Sequence, residues 1–176
     1  MKRYDITVLS IDGQGKQTLQ YLQLLIDTLT IFPVKKAMLL SSDPDADHPN
    51  IECIKIPTLG YLEYSQFCVE QLANFVHTEH MLNLQLDGFI VNPHRWNNAF
   101  LEYDYIGAPW QSKKHRPIPN GVAVGNGGFS LAVNGFYRLA PILNGIQFGK
   151  GAGCQENTGE MKITLFPYCV DHSLKR

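Results

Sequence analysis

What this chain lacks narrows its chemistry first. It has no basic excess: 15 lysines and arginines stand against 16 aspartates and glutamates, a formal net charge of -1. Proteins that grip a phosphate backbone draw their affinity from such an excess, so nucleic-acid binding loses its cheapest support. The four cysteines (Cys53, Cys68, Cys154, Cys169) show no CxxC spacing and lie too far apart for a zinc knuckle. They read as buried, reduced thiols of a cytoplasmic protein. The six histidines form no HxH or HExxH pattern, so spacing marks none of them as a metal ligand. No stretch approaches the ~20 apolar residues that span a bilayer. The apolar run after Met1-Lys-Arg-Tyr-Asp5 lacks the length and cleavage site of a secretory leader. The expectation is a soluble, cytoplasmic protein.

What is present is an alternation of strand and helix patterns. Ile6 to Ile11 reads as a first strand, stopped by the turn Asp12-Gly-Gln-Gly15. Lys16 to Thr30 carries Leu19, Leu22, Ile26 and Leu29 at helical spacing, and Pro33 closes it. Ala37 to Leu40 is a second strand, followed by the polar loop Ser41 to Asp47, and Ile51 to Ile56 is a third. Tyr64 to Val76 places Tyr64, Phe67, Cys68, Leu72, Phe75 and Val76 on one helical face, and Met81 to Leu86 is a fourth, doubly buried strand. This βαββαβ order predicts a single α/β domain with helices on a largely parallel sheet. No repeat, low-complexity tract or linker divides the chain. The second half is less regular. Lys113 to Gly121 is a basic, proline-broken loop that fits either a flap or a solvated surface. The glycine-rich segment Val124 to Leu131 fits either a tight turn or a ligand contact. Asn134 to Ala140 reads as a capped short helix ending near Pro141.

Candidate functional residues follow from the predicted strand ends. The fourth strand runs into Asp87 and at once into Gly88, and a carboxylate at the mouth of a buried strand demands compensation. Strand ends of open α/β sheets are also where ligands collect. Asp12 and Asp43 follow the first two strands and can share that rim, although turns and helix caps are the commoner use of such aspartates. Asp104 suits a sugar hydroxyl or a turn cap. Trp96 and Trp110 suit stacking on a sugar face or core packing. His94, seven residues beyond Asp87, can point into the same cleft or outward. Asp12-Gly-Gln-Gly15 supplies no dinucleotide fingerprint.

Three motifs in order carry a resemblance. They are Leu84-Gln-Leu-Asp-Gly-Phe-Ile-Val-Asn-Pro93, Phe100-Leu-Glu-Tyr-Asp-Tyr-Ile-Gly-Ala-Pro-Trp110 and Val124-Gly-Asn-Gly-Gly-Phe-Ser-Leu131. Together with Tyr64-Ser-Gln-Phe67 they resemble a family of bacterial and fungal glycosyltransferase-like proteins, catalogued mainly as a domain of unknown function and related to GT-A-fold enzymes. The resemblance covers about the middle 70 residues.

It implies a GT-A-like, Rossmann-like fold, with residues 1–92 as the nucleotide-sugar half and residues 93–176 as the acceptor half. It implies transfer of a sugar from a nucleotide-diphosphate donor to a hydroxyl on a carbohydrate or glycolipid acceptor, in the setting of bacterial surface polysaccharide or lipopolysaccharide synthesis. Peripheral membrane contact is compatible with that setting. Such enzymes commonly hold Mn²⁺ or Mg²⁺ with an Asp-x-Asp motif. Here Gln85-Leu-Asp87 would take that place, with Asp87 facing the metal and Gln85 as a neutral partner. Asn126, Gly127, Gly128 and Ser130 would form the wall where donor and acceptor meet. Glu156 would be the catalytic base. The departures are Gln85 for the first acid, Ala132 where the family tends to have arginine, Asn157 where a second acid is expected, and a short C-terminal end, divergent or truncated. Those departures favour an alternative, a non-catalytic carbohydrate- or nucleotide-binding module derived from such an enzyme.

Overall fold

Among the described residues, seven strands line up in the order β3-β2-β1-β4-β6-β5-β7. The computed structural model describes residues 3–108, 126–139 and 163–165. Strands β1 (Tyr4–Asp12), β2 (Val34–Ser41), β3 (Glu52–Lys55) and β4 (His80–Asn83) pair in parallel. Strand β6 (Asn126–Val133) runs antiparallel to both β4 and β5 (Tyr105–Ala108), and β7 (Ile163–Leu165) lies parallel to β5. Six strands therefore share one direction and only β6 opposes them, so the expected largely parallel α/β sheet is observed. All six carboxyl ends open on one rim.

Period-2 alternation divides the central strands between two apolar layers. Ile6, Val8, Ala37, Leu39, Leu82, Leu84 and Leu131 join Leu22 and Leu25 of helix α1 (Thr18–Ile31) on one face. Leu9, Ile11, Met38, Leu40, Met81 and Ala132 meet Phe67 of helix α2 (Tyr61–Glu70), with Leu72 and Val76 beyond it, on the other. Strands buried on both faces favour apolar residues on either side, which is why β1, β2 and β4 read as mainly apolar runs, and their buried Thr7 and Ser10 are hydrogen-bonded.

Several expectations on element shape need correction. The fourth strand ends at Asn83, not Leu86. Beyond it, Gln85 and Gly88 exchange backbone hydrogen bonds of 3.0 and 2.9 Å, closing a tight turn around Leu86 and Asp87. The helix expected over Tyr64–Val76 starts at Tyr61 and stops at Glu70. A 3-10 turn (Leu72–Asn74) then tightens the path and carries both Leu72 and Ala73 into the core. The described part of the glycine-rich segment, from Asn126, is strand β6 and not a tight turn, because Phe129 and Leu131 alternate with Ser130 and Ala132 across the two faces. Asn134 opens helix α3 (Asn134–Leu139), but its side chain does not cap it; the amide donates to the Val76 carbonyl at 2.7 Å.

The aromatic residues also sort by packing. Trp96 sits 4.8 Å from Phe32, 5.3 Å from Tyr4 and 5.4 Å from Phe100 between ring centroids. Tyr4 opens β1, so this cluster closes the amino-terminal end of the sheet and Trp96 is a packing residue there. His94 belongs to the exposed 3-10 turn (Pro93–Arg95) that leads into the cluster.

Candidate functional site at the carboxyl rim

The chain leaves β1 toward β2 on one side, and β4 enters on the other. The strand order therefore reverses between β1 and β4, and the crevice outside their carboxyl ends is where open α/β sheets bind ligands. Asp12, Asp43, Gln85, Asp87, Gly127 and Gly128 all lie on this rim.

Their local chemistry differs. Alternation along β1 puts Asp12 on the α1 face, directly below the start of that helix. Its Oδ2 accepts from the Gln17 backbone N–H at 3.0 Å and from the Thr18 hydroxyl at 3.1 Å. A carboxylate at a helix N-terminus is favourable, and Gln17 supplies no side-chain cap of its own. Asp12 thus occupies the place where a phosphate would meet α1. The turn beneath it needs Gly15 at φ +64°, where an added Cβ would stand 2.7 Å from the Asp43 backbone nitrogen. Asp43 closes a local turn by accepting from the Asp45 N–H at 3.0 Å. That bond, with the dipole of the nearby Thr18 hydroxyl second, holds the Asp43 carboxyl below its ordinary range.

Asp87 is different. It is exposed at the tip of the Gln85–Gly88 turn, and among the described residues no hydrogen bond engages its carboxylate. The strand expected to run into Asp87 stops short of it, so among the described residues the carboxylate stands in solvent beyond the buried strand. Gln85 is tethered, its Nε2 donating to the Tyr64 hydroxyl at 2.9 Å. The turn rests on β6, where a Cβ on Gly88 would stand 3.0 Å from the Phe129 Cβ and 3.1 Å from the Gly128 oxygen.

The glycines of β6 lie where the β5 register skips from Gly107↔Ser130 to Ala108↔Asn126. This irregularity turns the Gly127 carbonyl inward, to accept from Asn83 Nδ2 at 2.6 Å and from the Ser130 hydroxyl at 3.2 Å. Ser130 is buried and its hydroxyl is spent on that bond, so it braces the wall instead of offering a contact. Around Gly127 no described atom lies within 4 Å of an added Cβ, and its backbone is not left-handed. Among the described residues, neither crowding nor strain explains a glycine there.

Two other assignments separate from the rim or fall outside view. Asp104 precedes β5 and its carbonyl accepts from Val133 N–H, opposite the His80 end of β4, so it lies at the amino-terminal rim. Trp110 and Glu156 are outside the described residues, as is the Asn126 side chain, whose backbone belongs to β6. A groove of about 460 Å³ opens at the start of β2, lined by Arg3, Lys35, Lys36 and His48. It too faces away from the crevice, and its lysines pair with Asp5 and Glu52.

Sequence reasoning missed Tyr21, Tyr64 and Asn83. Burial raises the Tyr21 phenol, and the charges of Asp12 and Asp87 raise it further, so both carboxylates are felt at Tyr21. Burial also drives the Tyr64 phenol upward. The available signal was position: Tyr21 falls one turn after the start of α1, and Tyr64 in the first turn of α2, both over the carboxyl rim. Among the described residues no cluster of three or more His, Cys, Asp or Glu is arranged to hold a metal, and no helix is long and apolar enough to cross a membrane.

Comparison with known proteins adds a family. Residues 53–142 match the family described as "Protein of unknown function (DUF5672)". No curated protein matches the chain. Among solved structures it is similar to the bifunctional IspDF from Campylobacter jejuni at 10% identity and a TM-score of 0.47, over 74% of this chain and 41% of that one.

Proposed function

From the premise that the chain belongs to this family of unknown function, we propose that it is a GT-A-like glycosyltransferase, moving a sugar from a nucleotide-diphosphate donor to a hydroxyl acceptor. The observation that carries the reading is the Gln85–Gly88 turn. It presents an exposed Asp87, its carboxylate without a hydrogen bond among the described residues, at the β1/β4 crevice where the turn rests on Gly128 and Phe129 of β6.

The donor set fits a divalent cation held mainly by substrate. One free carboxylate and one amide oxygen do not make a protein cage. Mg²⁺ and Mn²⁺ in phosphate-handling sites are commonly bound by one or two carboxylates plus substrate phosphates and water. Asp87 and the Oε1 of Gln85 would hold such an ion, which when bound neutralises charge on the departing diphosphate. The remaining roles belong to the chain itself. Tyr21, its phenol kept protonated by burial and by two carboxylates, is a hydrogen-bond donor to donor oxygens. Gly127 admits the ligand close to the main chain. Asp12 does not contact substrate but fixes the start of α1, and with it Tyr21. Glu156, on the resemblance alone, would take the acceptor proton as general base.

Calorimetric titration with a panel of nucleotide sugars, with and without Mn²⁺, tests this. Mn²⁺-dependent binding and turnover, both abolished in Asp87→Asn, are expected; undiminished turnover in that variant removes Asp87 from the mechanism. A binding module without chemistry has one observation in its favour: Asp12, Asp43 and Ser130 are all spent on local bonds. Donor binding with no turnover on any acceptor would select that reading.

A further inference from the structure

We propose that Asn83 is a positioning residue that keeps the Gly127 carbonyl turned away from the diphosphate of a nucleotide donor. The inference rests on the reading of the β1/β4 crevice as a nucleotide-sugar site. Asn83 ends β4 in the middle of the sheet, opposite Leu9 of β1 and Ser130 of β6. It is only 6% exposed, at a position where a strand buried on both faces favours an apolar side chain. Its Nδ2 donates to the Gly127 carbonyl at 2.6 Å, and its Oδ1 is buried without a hydrogen-bond partner among the described residues. A carbonyl oxygen can only accept, so turning the amide over would lose that bond and set two acceptors against each other. The orphaned Oδ1 is destabilising. A leucine of similar shape would avoid it, so the fold alone does not account for asparagine here.

The grip on Gly127 does account for it. Among the described residues Gly127 is in register with neither β4 nor β5, because it lies where the β5 pairing skips. A bulge of this kind leaves its main chain outside the ladder. Without another hold, the Gly127 peptide would be free to rotate its oxygen toward the crevice, where it would repel phosphate oxygens. A carbonyl oxygen has two lone pairs, and the Ser130 hydroxyl takes the second at 3.2 Å. Ser130 follows on the same strand and moves with the bulge. Asn83 belongs to β4 and anchors the carbonyl from outside it.

The test separates a grip from a packing contact. UDP, GDP, ADP and dTDP are titrated into the full chain by calorimetry, with the matching nucleosides as controls. Asn83→Leu keeps the shape, but a methyl group cannot come as close to the carbonyl as the amide does. Its urea midpoint should be no lower than the parent's. Its affinity for the diphosphate that the parent binds should fall about 10-fold, the worth of one well-placed hydrogen bond, with nucleoside affinity unchanged. Asn83→Asp supplies the second readout. Its carboxylate cannot donate and its protonated form can, so its deficit against the parent should be large at pH 8 and shrink toward pH 5. Parent-like diphosphate binding by Asn83→Leu, an equal loss for the nucleoside, or a fall that tracks lost stability overturns the proposal. So does an Asn83→Asp deficit that is the same at both pH values, and that variant decides alone if Asn83→Leu does not fold. A parent chain that binds neither these diphosphates nor any nucleotide sugar instead overturns the nucleotide-sugar reading of the crevice, and with it the purpose assigned to the grip.

Discussion

Asp12 accepts two hydrogen bonds through a single oxygen, whereas Asp87, at the end of the neighbouring strand, has none among the described residues. The two residue types are the same, so their effects on stability and binding should separate cleanly. Asp12→Ala strips the start of α1 of its acceptor, leaves the Gln17 N–H unpaired and turns the buried Thr18 hydroxyl to its weaker partner, the Ser41 hydroxyl at 3.4 Å. A loss of about 1–2 kcal/mol is expected, read by urea unfolding. Asp87→Ala removes an exposed turn residue and should stay within about 0.5 kcal/mol of the parent chain in the same measurement, while losing Mn²⁺-dependent donor binding. The reverse pattern, with Asp87 structural and Asp12 needed for binding, would exchange the two assignments. Position along the chain was enough to put both aspartates on one rim. Which of them is spent locally depends on the strand's facing and on where α1 begins, and neither is written in the residue itself.

The junction of β4 with β6 shows the same separation between elements. Gly88 and Gly127 lie on facing segments, but only Gly88 is crowded. Gly88→Ala would push a Cβ to 3.1 Å from the Gly128 carbonyl oxygen, a backbone atom that cannot swing aside. A cost of about 1–3 kcal/mol is expected, together with displacement of the turn that carries Asp87. Gly127→Ala meets no described atom within 4 Å and should leave stability nearly unchanged. If the donor approaches the main chain at Gly127, this variant weakens nucleotide-sugar binding by calorimetry at full stability; unaltered affinity would remove Gly127 from the wall. The sequence signalled close approach through its glycines, yet these also hid the period-2 pattern that makes the segment a strand. The break in α2 escaped for a related reason: apolar spacing continues through Val76, so nothing local marks the change to a 3-10 turn after Glu70.

Across the whole molecule, the βαββαβ order was legible because each doubly buried strand is an apolar run and each helix carries one apolar face. The pairing order was not, since placing β6 beside β4 depends on contacts between residues 47–53 positions apart, which no local pattern encodes. That layered packing has a thermodynamic signature. On the α2 face, burial pushes the Cys68 thiol from 9.0 up to about 11 and the Tyr105 phenol from 10.0 up to about 12. Both groups hold their protons more tightly folded than unfolded, so their contribution is complete below pH 9 and declines as pH rises through the folded values. For Cys68 the window is pH 9 to about 11, and that preference amounts to on the order of 3 kcal/mol. Tyr105 extends the decline toward pH 12. Urea unfolding of the parent chain at intervals from pH 8 to 11 should show stability falling with a slope that steepens above pH 9. Cys68→Ala is expected to be less stable at pH 8, from the lost packing, but to fall less steeply, because one proton-releasing group is gone. Parallel slopes for the two chains would mean that the thiol is solvated in the native state and that α2 does not seal this face of the sheet.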